Sequence, residues 1–157
     1  MIGMLRNKSV NGAAKIRAGL RSQSGVAAIE FAFIAPALLL LIAGVCQFTM
    51  VLGNYMSLEH AVGQGARTLA ISRGDSTPMT DTQSEVMASA GNLNTSNISI
   101  SYSVNGTACS SDTGCGAALV AGVPAQVTAT YPCSLVVMGT DFAPGCTLSI
   151  NATERVE

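Results

Sequence analysis

The chain has 157 residues, 48% of them hydrophobic and 11% charged, with a formal net charge of -1 and no Trp. That length accommodates one small domain plus an anchor, and four Phe with three Tyr imply a light, aliphatic core. A single histidine, His60, excludes two-histidine zinc motifs and most Ser or Cys triads.

The charges are unevenly placed. Arg6, Lys8, Lys15, Arg17 and Arg21 come first with no acid among them, whereas beyond residue 25 three basic residues face nine acidic ones. Met1–Ser24 has no apolar periodicity and reads as a basic cytoplasmic leader. Phe31–Leu52 follows, 22 residues without a charge and with Gln47 as the one strongly polar side chain. A helix of about 20 such residues crosses a bilayer. The positive-inside rule keeps the amino terminus in the cytoplasm and exports the rest. No small-x-small cleavage site of a secretory signal follows the run: Ala43-Gly44-Val45 ends in a bulky residue.

Glu30 stands at the head of the run, five residues after Gly25. A charge inside the bilayer costs about 2.5–3.5 kcal/mol on insertion scales, so this acid needs a partner. Cleavage after Gly25 would supply one, because the new amine of Val26 lies four residues from Glu30 on one helix face, or reaches Glu30 of a neighbouring subunit. Pro36 is expected to bend or loosen the helix. Tyr55, Leu58, Ala61, Val62, Ala66, Leu69 and Ala70 recur at three- and four-residue intervals, which extends an amphipathic helix to Ile71 with a weak point at Gly63 and Gly65.

Arg73–Pro78 is a run of turn residues. A short helix is expected over Asp81–Ala90, capped by Thr80 or Asp81 and closed by Gly91-Asn92. Alternating segments at Ile98–Val104, Val123–Tyr131 and Leu148–Val156 read as strands with one apolar face. Asn105–Gly122, rich in Gly, Ser and Cys, reads as a loop. Cys109, Cys115, Cys133 and Cys146 fall in the exported part, where disulfides persist. Four cysteines allow three pairings; Cys109 with Cys115 and Cys133 with Cys146 are preferred because each closes a short loop. Cys46 lies inside the span and reads as a packing residue. The expected fold is α+β: a long helix (26–71) packed on a small antiparallel sheet of three to four strands, with stapled loops in a head over 72–157.

Basic leader, Gly25, Glu30, Phe31 and an apolar helix together resemble the type IV prepilin processing site. The fuller stretch RSQSGVAAIEFAFIAPALLLLIAGVCQF, followed by SLEHAVGQGARTLA, is similar to the TadE-like proteins, minor pilins or pseudopilins of tight-adherence (Tad, Flp) pili. VPAQVTATYPCSLVVMG and TLSINATERVE resemble the paired strands closing that family's domain, so the resemblance is strong over Arg21–Ala70 and looser over Ile71–Gly122. It implies processing at Gly25/Val26 with Glu30 and Phe31 in the recognised site, and roles for Glu30 and Arg67 in assembly. The implied partners are other pilin and minor pilin subunits, a prepilin peptidase, the inner-membrane assembly platform and membrane lipid, with no nucleic acid. The implied location is the bacterial inner membrane, single-pass, with the head periplasmic or at the cell surface. No cofactor, metal or catalytic residue is expected. Gly74-Asp75-Ser76 looks like a GDSL hydrolase block, but no histidine follows it, and it reads as a turn. The rival reading is a permanently anchored envelope protein with an uncleaved signal anchor.

Overall fold

The computed structural model describes residues 24–157, so the leader expected over 1–25 lies outside the described residues except for its last two. The described residues divide into two units, the first ending at Ile42 and the second running over Ala43–Glu157. A 48-residue helix, α1 (Ser24–Ile71), begins in the first and ends in the second. It passes through Pro36 without interruption.

Nor does α1 break at Gly63 or Gly65, contrary to the weak point expected there. Packing on one glycine supplies the reason. Helix α2 (Pro78–Ser89) lies against Gly65, where an added Cβ would collide with Val86 Cγ2, while Gly63 faces open space. Gly65 is therefore the place where two helices approach closely, and its low helix propensity is offset by that contact.

The second unit continues through a 3₁₀ turn (Thr95–Asn97) into β1 (Ser99–Val104), β2 (Thr107–Ala108), α3 (Asp112–Ala118), β3 (Pro124–Pro132), β4 (Val136–Val137), β5 (Thr140–Asp141) and β6 (Thr147–Arg155). Strands in the order β2-β1-β3-β6 form one antiparallel sheet, and β4 with β5 forms a separate hairpin. The fold class is α+β, as expected.

Two expectations are corrected. The second helix starts at Pro78 rather than near Asp81, because proline is preorganised for the first helical position and gives up no bond there. Asn105–Gly122 is not a plain loop. Asn105 (φ 51) and Gly106 (φ 77) turn β1 into β2, and Ser111 caps α3 by accepting from the Gly114 N–H at 3.2 Å. Asn-Gly is the preferred pair for a two-residue hairpin turn, so the signal was in the sequence.

One face of the sheet is buried in strict alternation: Ala125, Val127 and Ala129 from β3, Tyr102 and Val104 from β1, Ile150 from β6. The same core takes Leu58, Ala61, Val62, Ala66 and Leu69 from α1 and Val86 and Ala90 from α2. Alanines line this core on both sides, Ala61 and Ala66 from the helix and Ala125 and Ala129 from the sheet. Tyr55, expected on this stripe, is instead 40% exposed. The outer face is polar and cross-linked: Ser103 Oγ donates to Gln126 Oε1 at 3.3 Å, and Gln126 Nε2 to Thr153 Oγ1 at 3.2 Å. Disulfides join Cys109 to Cys115 and Cys133 to Cys146.

The two glycines of α1 provide a matched test. Gly63→Ala should gain up to about 1 kcal/mol from helix propensity, whereas Gly65→Ala should lose about 1–3 kcal/mol through overpacking against Val86. Urea unfolding of the two variants in detergent, followed by circular dichroism, should shift in opposite directions.

Candidate functional site

The first turns of α1 carry the expected processing residues. Gly25 and Val26 lie within α1, and Val26 and Glu30, four residues apart, share one of its faces. Glu30 is exposed, as are Val26 (62%) and Phe31 (65%). Gly25 has no neighbour within 4 Å of the position its Cβ would take. Beyond it, α1 is long and apolar enough to cross a membrane, and no residue of its most apolar 18-residue window is buried. A core helix of a soluble domain would be mostly covered by its own fold. This one presents hydrocarbon on every side, which water does not tolerate without lipid or other apolar helices around it.

In the second unit the remaining candidates are dispersed. His60 is exposed on α1, and Ser76 follows the helix in a bend. Arg67 is an exposed helix cation lining a hollow of about 280 Å³ with Glu154, Arg155 and Glu157. A hollow of about 470 Å³ lies between α1 and β6 and is lined by Tyr55, Glu59, Gly63 and Ser149–Ala152, a set with one acid and no histidine or cation. Cys46 is a free, exposed thiol on α1. Among the described residues no three His, Cys, Asp or Glu side chains converge.

Two residues not singled out by sequence organise the disulfide-bearing end of the head. Asp112, in the first turn of α3, reaches 33 residues back to the start of α2. Its Oδ1 accepts from the Met79 N–H, and its Oδ2 from Thr80 Oγ1 at 3.0 Å. The Thr80 N–H also donates to Oδ1 at 3.2 Å. The α2 N-cap residue, Thr77, makes no capping bond of its own. The cap of α2 thus comes from α3, and the carboxylate sits on the positive end of the α2 dipole. Desolvation works to raise the Asp112 pKa, but the bonds from Met79 and Thr80 outweigh it and hold it below its ordinary value. Tyr102 lies in the core, where its hydroxyl is buried with no hydrogen-bond partner among the described residues. Burial first, and the charge of Asp112 second, push its pKa up to about 12.

Helix, head and staples define an α+β protein with one amino-terminal helix fit to be a single-pass membrane anchor. Residues 25–67 match the family model described as TadE-like protein. The matched segment begins at Gly25 and includes Glu30, the whole apolar run and Arg67. No curated protein and no solved structure matches the chain.

The two shifted groups set the pH limits of the head. The depressed Asp112 contributes stability that is complete above its ordinary value of 3.8 and is lost as pH falls through its folded value. The raised Tyr102 contributes stability that is complete below 10.0 and is lost as pH rises through about 12. In thermal melts against pH, Asp112→Asn should flatten the acid limb and Tyr102→Phe the alkaline limb, with Tyr102→Phe costing little near neutrality because the hydroxyl it removes bonds to nothing.

Proposed function

We propose that this chain is a non-enzymatic minor pilin or pseudopilin of a Tad-type pilus. It is inserted with its amino terminus in the cytoplasm, is cut between Gly25 and Val26 by a prepilin peptidase, and lodges α1 among the helices of other pilin subunits. Its exported head then acts in assembly of the pilus and in surface attachment. The observation that carries this reading is the TadE-like match over residues 25–67, which takes in Gly25, Glu30 and a run whose most apolar 18-residue window holds no buried residue. The physical logic supports it: the freed amine of Val26 neutralises Glu30, on the same chain or a neighbour, and lowers the cost of holding an acid among apolar helices. Arg67, exposed on the head's part of α1, supplies a cation for a salt bridge between subunits. The basic leader and the acid-rich remainder favour an inner-membrane location with the head outside.

N-terminal sequencing of the protein from cells with and without a prepilin peptidase should give Val26 as the first residue only in the former. A mature chain that still carries Arg21 would instead favour a permanent anchor with an uncleaved leader. Glu30→Gln should leave membrane insertion unchanged and reduce pilus output severalfold, and undiminished output would remove Glu30 from assembly.

A further inference from the structure

The hairpin β4–β5 has no part in the function proposed above, yet it is the most apolar exposed piece of the head. It projects from the loop closed by Cys133 and Cys146, and it carries Met138 (72% exposed), Phe142 (64%) and Val136 (40%). Of the large hydrophobics exposed after α1, these three share one short loop, and Val120 alone lies elsewhere. Water gives such side chains no reason to cluster at a loop tip.

The turn itself breaks a local rule. Met138 (φ 50) and Gly139 (φ 81) are the central pair between Val137 and Thr140, both with positive φ. Turns of this kind take Asn, Asp or Gly first, because a bulky side chain is strained there. The chain follows that preference at Asn105-Gly106, its other two-residue hairpin. At the tip of β4–β5 it places methionine instead, spending backbone strain to expose a flexible apolar side chain.

Position names what the tip meets. Strand β3 runs from the end of the head beside Ala70, where the Gly122 N–H donates to Val156 O and the Glu157 N–H to Ala70 O, towards Pro132. At that second end Tyr131, Pro132, Cys133 and Ser134 line a hollow with Gln47, Met50, Val51 and Asn54 of α1. The Cys133 N–H donates to Cys146 O at 3.0 Å, the last rung before the loop opens. The hairpin therefore leaves the sheet at the level where the uncharged run ends at Leu52. Its one acid, Asp141, accepts from the Ala143 N–H at 2.9 Å, which suits a carboxylate kept at headgroup depth.

We propose that the hairpin closed by Cys133 and Cys146 dips Val136, Met138 and Phe142 into the headgroup–acyl boundary of the bilayer that holds α1, as a second and reversible membrane contact. Interfacial elements bury their apolar face about 5–10 Å deep, within reach of a loop rooted beside residues 47–54. The contact fixes the head against the membrane surface, and extraction of the subunit has to release it together with the helix. This inference rests on the reading of Phe31–Leu52 as a span.

The absence of Trp allows single-tryptophan reporters in the full chain. Met138→Trp and Phe142→Trp report on the hairpin, Phe48→Trp on the span and Val120→Trp on the opposite end of the head. Each is reconstituted in phosphatidylcholine–phosphatidylglycerol vesicles, with and without phosphatidylcholine brominated near the head of its acyl chains, and titrated with acrylamide. The expected result is lipid quenching of F48W and of the hairpin variants, severalfold above that of V120W, with blue-shifted hairpin emission and V120W quenched by acrylamide. Lipid quenching of F48W with both hairpin variants open only to acrylamide overturns the proposal and leaves the span intact. Hairpin variants shielded from both quenchers point to a protein contact, such as a second copy, and overturn it too. Absence of lipid quenching in F48W removes the span and the proposal together.

Discussion

Everything in this molecule follows from the apolar surface of one helix and from how much of it the chain can cover by itself. Over Leu58–Leu69 the surface is a stripe, and the sheet and α2 close over it. Each large side chain fully buried there is worth about 1.5–3 kcal/mol. Over Phe31–Leu52 the surface is apolar all round, and no residue of the most apolar stretch is buried. One helix thus holds a domain together at one end and requires an apolar environment at the other.

The head is economical because the helix is already provided. Alanines at 61, 66, 125 and 129 are fully buried between helix and sheet, and only a few larger residues fill the rest of the core. Small cores leave little margin, and the rest of the head compensates with links that are distant in sequence. Asp112 caps a helix that begins 34 residues before it and so binds α3 to α2, while the Cys109–Cys115 bridge ties α3 to the end of β2. Gly65 lets α2 settle onto α1. The outer face of the sheet, joined by Ser103, Gln126 and Thr153, stays polar and needs no cover.

The TadE-like match over residues 25–67 fits this division, since it spans the apolar run and most of the covered stripe and stops short of the head's sheet. An element that is apolar all round is constrained on every face, and its pattern is correspondingly strong. A head has only to cover one stripe of that helix, and many loops and strand lengths do so equally well.

Sequence by itself determined the elements whose signal is local. A long uncharged run, a stripe at helical spacing and three alternating segments sufficed for the helix, its extent to Ile71 and a sheet with one apolar face, because periodicity and burial are the same fact. The turn at Asn105-Gly106 and the cap at Ser111 were equally local, and were hidden only by the small and polar composition around them. Tertiary structure alone decided what depends on partners far along the chain. Proline at 78 opens α2 because Asp112 waits to cap it, Gly65 strengthens rather than breaks the helix because Val86 lies above it, and Tyr55 falls outside the core because it lines the open hollow between α1 and β6. Strand order and the placing of Tyr131–Ser134 beside Gln47–Asn54 likewise arise from contacts between segments that no window of sequence contains together.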